Sequence, residues 1–210
     1  MSLRIKTNTQ AIAAQRSLGI NKRLQNRSLE RLASGNRINR AGDDAAGLAI
    51  SEKLKASTRS MRQAERNAND GISLIQTAEG ATNEISNILI RLRELSIQSA
   101  SDTIGNTERG FIDKEIQHLK EEVDRIAQGT EYNGTKLLNG EGGALEIQVG
   151  INNRPTQDRL VFEAGDQIVT TAALGIDGVN TMSKEAAQDN LDSIDAAINT
   201  VNRNRSALGA

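Results

Sequence analysis

The chain has 210 residues, 26 of them Lys or Arg and 27 Asp or Glu, with one His, no Cys and no Trp. Disulfides, thiolate chemistry and zinc sites of the usual Cys or His type are thereby excluded, and no cofactor is expected. Three aromatic residues, Phe111, Phe162 and Tyr132, and the single Pro155 leave the core to Ala, Leu, Ile and Val, a palette that suits long helices. No apolar run approaches the roughly 20 residues that cross a bilayer, and MSLRIKTNTQ lacks the apolar stretch of a cleaved signal peptide. The absence of Cys agrees equally with a reducing cytoplasm and with export as an unfolded chain.

Residues 1–40 hold nine Lys or Arg against Glu30 alone, so this arm carries +8 in a chain whose net charge is −1. Such an arm suits nucleic acid, a membrane surface or an electrostatically matched protein assembly. It has no aromatic ring to stack on bases, and its apolar positions (Ile5, Ile12, Leu18, Leu24, Leu29, Leu32) are scattered aliphatics without Trp or Phe. Assembly is therefore the favoured reading, with neither nucleic acid nor membrane insertion expected.

From residue 47, alternating steps of three and four pick out Gly47, Ile50, Leu54, Ser57, Met61, Ala64, Ala68, Gly71, Ile75, Ala78, Thr82, Ile85, Leu89, Leu92, Ser96 and Ser99, none of them charged. Every charged residue in that span avoids the row, which is a heptad seam. At a rise of roughly 1.5 Å per residue a helix over 47–99 would be about 80 Å long, and a rod is expected. The first half of the seam is rich in small residues that let backbones approach. A second apolar row, Leu74, Ala81, Ile88 and Leu95, predicts a bundle rather than a two-stranded coil.

Gly105-Asn106 breaks the pattern, which resumes at Ile112, Ile116, Leu119, Val123 and Ile126 as a second, antiparallel helix of roughly 20 residues ending at Gly129. Residues 129–182 hold nine of the eighteen glycines, and their period becomes alternating. Asn133-Gly134 and Asn139-Gly140 are turn signals. Leu145, Ile147 and Val149, followed by Leu160 and Phe162, read as paired strands around the loop at Asn152–Pro155. So small a β region cannot fold alone and must lie on the helices. Ser183 caps a final helix, about 183–209, with the stripe Ala187, Leu191, Ile194, Ile198, Val201 and Leu208 and one polar intrusion, Arg205. That helix is amphipathic to its last turn and the basic arm lacks a partner of its length, so a further C-terminal helix is expected.

Chemical signals are sparse. Asp43-Asp44, between Gly42 and the seam, reads as a helix N-cap with first-turn dipole partners rather than an acid–base pair. His118 has no Ser or Cys nucleophile near it in sequence and reads as a surface residue. No phosphate-loop, dinucleotide, metalloprotease or nucleophile-elbow motif occurs, and no enzyme is expected. Arg91, Arg93 and Glu94 beside Leu95 form, by themselves, a solvated helix face.

The run Leu32-Ala33-Ser34-Gly35-Asn36-Arg37-Ile38-Asn39-Arg40-Ala41-Gly42-Asp43-Asp44-Ala45-Ala46-Gly47-Leu48-Ala49-Ile50 closely resembles the LSSG-RIN-A-DDAAGLAI run of bacterial flagellins. So do Arg91-Leu92-Arg93-Glu94-Leu95-Ser96-Ile97-Gln98-Ser99-Ala100, Tyr132-Asn133-Gly134-Thr135-Lys136-Leu137-Leu138 and Arg203-Asn204-Arg205-Ser206-Ala207-Leu208-Gly209-Ala210. The resemblance spans nearly the whole chain. It implies a mainly α fold: an elongated antiparallel helical bundle with a small β-hairpin region, in which 1–43 is an inner-tube segment and 44–210 the rod domain. The span between Phe162 and Ser183 leaves no room for large outer domains, as in a minimal form that ends before the family's last helix.

By the same resemblance the chain is a secreted, self-assembling subunit of the extracellular flagellar filament. It is exported by the flagellar type III route, with other flagellin subunits, export chaperones and cap or junction proteins as partners. The terminal-segment family motif falls on Arg37, Ile38, Asn39, Asp43 and Asp44. Arg91, Leu92, Arg93, Glu94 and Leu95, with Glu115 on the neighbouring helix, fall where a receptor of the Toll-like class recognises many flagellins and where protofilaments meet. The alternatives are a hook–filament junction adaptor, against which Ala45 and Leu95 argue, and a basic-arm coiled-coil protein that binds nucleic acid.

Overall fold

The structure, a computed structural model, describes residues 8–209; Arg4, Ile5 and Lys6 of the basic arm lie outside them. In chain order the elements are α1 (Thr9–Ser34), α2 (Ala45–Ser99), α3 (Asn106–Gly129), β1 (Glu131–Tyr132), β2 (Thr135–Lys136), β3 (Ala144–Gln148), the single turn α4 (Pro155–Asp158), β4 (Arg159–Glu163), a 3-10 turn at Ala164–Gln167, the single turn α5 (Thr171–Leu174) and α6 (Lys184–Leu208). The fold is mainly helical, as the periodicities require. It divides into two units, Met1–Ser60 and Met61–Ala210, with α2 contributing to both.

In the first unit, the Asn8 side chain accepts the Ala11 amide at 3.1 Å to start α1, and Gly35, at a left-handed φ of 68°, stops it. No residue of α1 is buried, and Leu18 and Leu32 are 68% and 82% exposed. The first seam residues of α2, Ile50 and Leu54, are also exposed. Burial on α2 begins at Ala64.

In the second unit the periodic rows do meet. α2 buries Ala78, Ile85, Leu89 and Leu92 from the seam and Leu74 and Leu95 from the second row. α3 adds Ile112, Ile116 and Val123, and α6 adds Ala187, Ile194 and Val201. Each fully buried Leu or Ile contributes about 1.5–3 kcal/mol relative to exposure. Both partner helices run antiparallel to α2. Arg91 pairs with Glu115 and Arg109 reaches Ser99 on the α3 side, while Arg93 pairs with Asp195 and Asp102 with Lys184 on the α6 side.

The turn between α2 and α3 is closed by a buried cation. Arg109 donates Nε to the Ser99 carbonyl and Nη2 to the Ser101 carbonyl, both at 2.9 Å, and Nη1 to Asn106 Oδ1 at 3.0 Å. A guanidinium there satisfies acceptors that the end of α2 leaves open and meets the negative end of its dipole.

The β region forms two antiparallel hairpins. Asn133 and Gly134, at φ 50° and 79°, make the two-residue turn between β1 and β2 that the sequence signals. β3 and β4 pair with Leu145 opposite Phe162 and Ile147 opposite Leu160, the pairing that the alternation predicts. This hairpin lies on α2, where Ile147 covers Gly71 so closely that a Cβ on the glycine would stand 2.8 Å from Ile147 Cδ1. Asn67 donates to the Gln148 carbonyl at 2.9 Å beside it. Thus Gly71, among the small residues of the seam, admits a β-hairpin and not a helix.

Residues 164–182 have little regular structure and are held by one polar face of α3. Asp124 accepts the Thr171 amide (2.8 Å) and hydroxyl (2.7 Å), and Asp113 accepts the Thr181 amide (2.8 Å). Lys120 donates to the carbonyls of Asp177 and Val179, and Gln117 to that of Val179. Positions 113, 117, 120 and 124 repeat every three or four residues, so this face reads helically like an apolar stripe, but its partners are backbone groups and the Thr171 hydroxyl. Val169, Leu174, Ile176 and Val179 thereby reach the core. Ser183 caps α6 by accepting the Ala186 amide at 3.1 Å, as predicted.

These contacts give opposite expectations for two glycines of α2. Gly71→Leu should lower stability by about 1–3 kcal/mol by lifting the β3–β4 hairpin. Gly80→Ala, with open space around its Cβ position, should raise it by about 0.5–1 kcal/mol. Denaturant midpoints of the two variants check this pair.

Candidate interaction surface

The ionic cluster on α2 joins three helices. Arg91 donates Nη2 and Nε to Glu115 Oε1 of α3, at 2.8 and 3.1 Å, and Nη1 to Glu94 at 3.1 Å. Arg93 points the other way and makes a two-pronged contact with Asp195 of α6, Nε to Oδ1 at 2.6 Å and Nη2 to Oδ2 at 3.2 Å. The hydrogen bonds to Glu115 first, and then to Glu94, hold the Arg91 guanidinium protonated even more firmly than usual; Asp195 does the same for Arg93. The Arg93 hydrogen bond pulls the Asp195 carboxyl below its ordinary range, and the Lys184 hydrogen bond does so for Asp102. These pairings contribute stability above the ordinary carboxylate pKa, about 3.9 for Asp, and lose it as pH falls through the lowered one.

Leu92 and Leu95 do not belong to that surface. They are 0% and 2% exposed and lie in the core of the second unit. The seam and its neighbouring row turn them inward, as the periodicity predicts, and Arg91, Arg93, Glu94 and Glu115 are the accessible members of the six. Three apolar residues enter instead. Ile90 and Ile97 are two turns apart on one face of α2, Phe111 is one turn before Glu115 on α3, and they are 48%, 50% and 65% exposed. Their signal in the sequence is negative: large apolar residues off the buried rows.

The family-motif residues form a second arrangement, wholly within the first unit, between α1 and the start of α2. Asp44 caps α2, accepting the Gly47 amide at 2.8 Å; Gly47 has no room for a Cβ, which would stand 2.9 Å from Ile38 Cδ1. Asp43 is not a first-turn partner, as the sequence suggested. It turns back to α1, where Arg27 donates to it and Arg31 approaches at 3.4 Å, and it accepts the amides of Asn39 and Arg40 at 3.3 Å. The Arg27 hydrogen bond is the largest influence in pulling its carboxyl below the usual range. Arg37 lies 3.9 Å from Asp44, and Arg40 pairs with Glu30 at 2.9 Å. Sequence reasoning missed the Arg27–Asp43 contact because its partners lie sixteen positions apart across a helix end.

His118 is exposed, 3.4 Å from Glu121, and no group of three or more metal-ligating side chains converges among the described residues. No described helix is long and apolar enough to cross a membrane.

Residues 5–142 match the family model described as the bacterial flagellin N-terminal helical region. A flagellin from Halalkalibacterium halodurans is 42% identical over 206 residues, covering 98% of this chain and 75% of that one. The polar flagellin B/D of Vibrio parahaemolyticus is 50% identical over 153 residues, 73% of this chain and 40% of that one. Among solved structures, Bacillus cereus flagellin superposes with a TM-score of 0.60 at 32% identity, over 69% of this chain and 81% of that one. A protein from Vibrio parahaemolyticus described as flagellar hook-associated gives 0.63 at 12% identity, over 81% and 88%, a likeness of fold alone.

The burial of Leu95 separates the two halves of the motif. Leu95→Ala should cost about 2–5 kcal/mol, while Arg91→Glu should leave the thermal midpoint nearly unchanged. A Leu95→Ala midpoint equal to that of the parent chain would contradict the packing.

Proposed function

Because this chain belongs to the flagellin family, we propose that it is a structural subunit of the bacterial flagellar filament, outside the cell, and that it acts by self-association without catalysis. The observation that carries this reading is the apolar surface left without cover. α1 has no buried residue although Ile12, Leu18, Leu24, Leu29 and Leu32 lie on it, and Ile50 and Leu54 of α2 are exposed as well. Side chains of this size gain stability only when something covers them, and a second copy supplies the same surface in return. In this reading residues 1–43 form the inner-tube segment and 44–210 the rod domain.

Arg91, Arg93, Glu94 and Glu115, with Ile90, Ile97 and Phe111 beside them, are the surface at which neighbouring protofilaments meet and which a Toll-like innate immune receptor recognises. Leu92 and Leu95 support it from beneath. Export chaperones and cap or junction proteins are the further partners. The chain spans three quarters of the Halalkalibacterium relative but about two fifths of the Vibrio polar flagellin B/D. The junction-adaptor alternative draws only on the fold likeness at 12% identity.

Seeded growth decides between them. Purified chain added to short flagellin filament seeds should lengthen them, and Arg91→Glu should slow elongation and lower signalling in a receptor reporter cell. Capping without elongation would favour the junction adaptor, and no association with seeds would reject both.

A further inference from the structure

Asparagine precedes glycine twice in the chain, at Asn133-Gly134 and Asn139-Gly140. In this dipeptide the glycine amide nitrogen, with no Cβ to shield it, is a nucleophile for the carbonyl carbon of the asparagine side chain. The nucleophile is equivalent at the two places, since neither glycine amide has a backbone acceptor among the described residues. Reaching the carbon requires the backbone to rotate between the two residues and the carboxamide to turn. On both counts the fold separates the sites.

Asn139 is locked. Leu138 before it is fully buried, and the Leu138 carbonyl accepts the Val169 amide at 3.1 Å. Gly140 after it lies under Ile168, whose Cδ1 would stand 2.7 Å from a Cβ there. Glu141 holds the carboxamide at both ends, its amide donating to Oδ1 at 2.9 Å and its Oε2 accepting from Nδ2 at 2.8 Å. Asn133 and Gly134, by contrast, are exposed, and nothing lies within 4 Å of the Gly134 Cβ position. The Asn133 side chain makes no hydrogen bond among the described residues. The turn closes a ladder of only two residue pairs, Glu131 with Lys136 and Tyr132 with Thr135, and so short a ladder opens at its tip at little cost.

We propose that Asn133 is a site of spontaneous deamidation that the fold leaves open, and that the same fold closes the equivalent site at Asn139. The Gly134 nitrogen bonds to the Asn133 side-chain carbonyl carbon, the bond from that carbon to Nδ2 breaks, and Nδ2 leaves as ammonia with the proton that Gly134 gives up. Water then opens the five-membered imide at either carbonyl, leaving aspartate or isoaspartate; nothing is oxidised or reduced. Isoaspartate lengthens the two-residue turn by one methylene, which the register of β1 and β2 does not accommodate. Leu137 and Leu138, fully buried beyond β2, keep the change local to the hairpin. The reaction needs one chain and no neighbour, so it is independent of the filament reading.

Peptide mapping by mass spectrometry on the full chain, held in mildly alkaline buffer with and without denaturant, tests it, with isoaspartyl methyltransferase labelling to locate isoaspartate. In denaturant the two asparagines should deamidate at similar rates. In the folded chain Asn133 should react at least tenfold faster than Asn139, and Asn133→Gln should remove most of the ammonia that the folded chain releases. Ile168→Ala, which uncovers Gly140, should speed the folded-state reaction at Asn139 and leave that at Asn133 unchanged. Folded-state rates that are equal, or higher at Asn139, would overturn the proposal.

Discussion

The aliphatic seam on α2 from Ala64 to Ser99 is the constraint on which the second unit depends. Its buried members present one face to two antiparallel helices and a hairpin, and each neighbour is admitted by the residue size at its level. Large residues, Ile85, Leu89, Leu92 and Leu95, stand where α3 and α6 flank α2. Gly71 stands where Ile147 presses in. With almost no aromatic side chains, this core gains its stability from many medium-sized contacts, and its specificity from register, which Arg91–Glu115 and Arg93–Asp195 mark at the surface.

The same seam explains how one short motif both packs inward and presents charges outward. In Arg91-Leu92-Arg93-Glu94-Leu95 the leucines face the core and the charged residues face outward, each arginine reaching a different neighbouring helix. A surface of this kind is stiff before any partner arrives, since its guanidiniums are already held, and a stiff surface loses less entropy on association. The first unit is the opposite case. Its helix exposes its apolar residues and is fastened at one end, which suits a segment completed by neighbouring subunits.

Periodic features were legible in the sequence. The seam, the α3 and α6 stripes, the Asn133-Gly134 turn and the β3–β4 pairing all follow from periods of 3.6 and 2 and from turn chemistry. Leu92 and Leu95 teach a sharper lesson: periodicity put both in buried rows, the resemblance put both on a surface, and the packing of one chain follows periodicity. What stayed hidden was non-periodic. Residues 164–182 are placed by polar groups of α3 that read as a solvated face, Asp195 finds Arg93 across 102 positions, and Asp43 bonds backward to α1 although it precedes a helix start. The exposed start of the seam was also beyond a single-chain reading, because an apolar row states that it wants a neighbour, not whether that neighbour is in the same chain.

The central claim is that the apolar residues left open on α1 and at the start of α2 are covered by other copies of the chain. Oxidative footprinting by mass spectrometry measures this residue by residue, on the monomer and on material grown from seeds. Leu18, Leu29, Leu32, Ile50 and Leu54 should be modified readily in the monomer and be strongly protected in the polymer, while Val123 and Ile194, buried in both, stay unmodified throughout. Equal modification of those five residues in monomer and polymer would contradict the account.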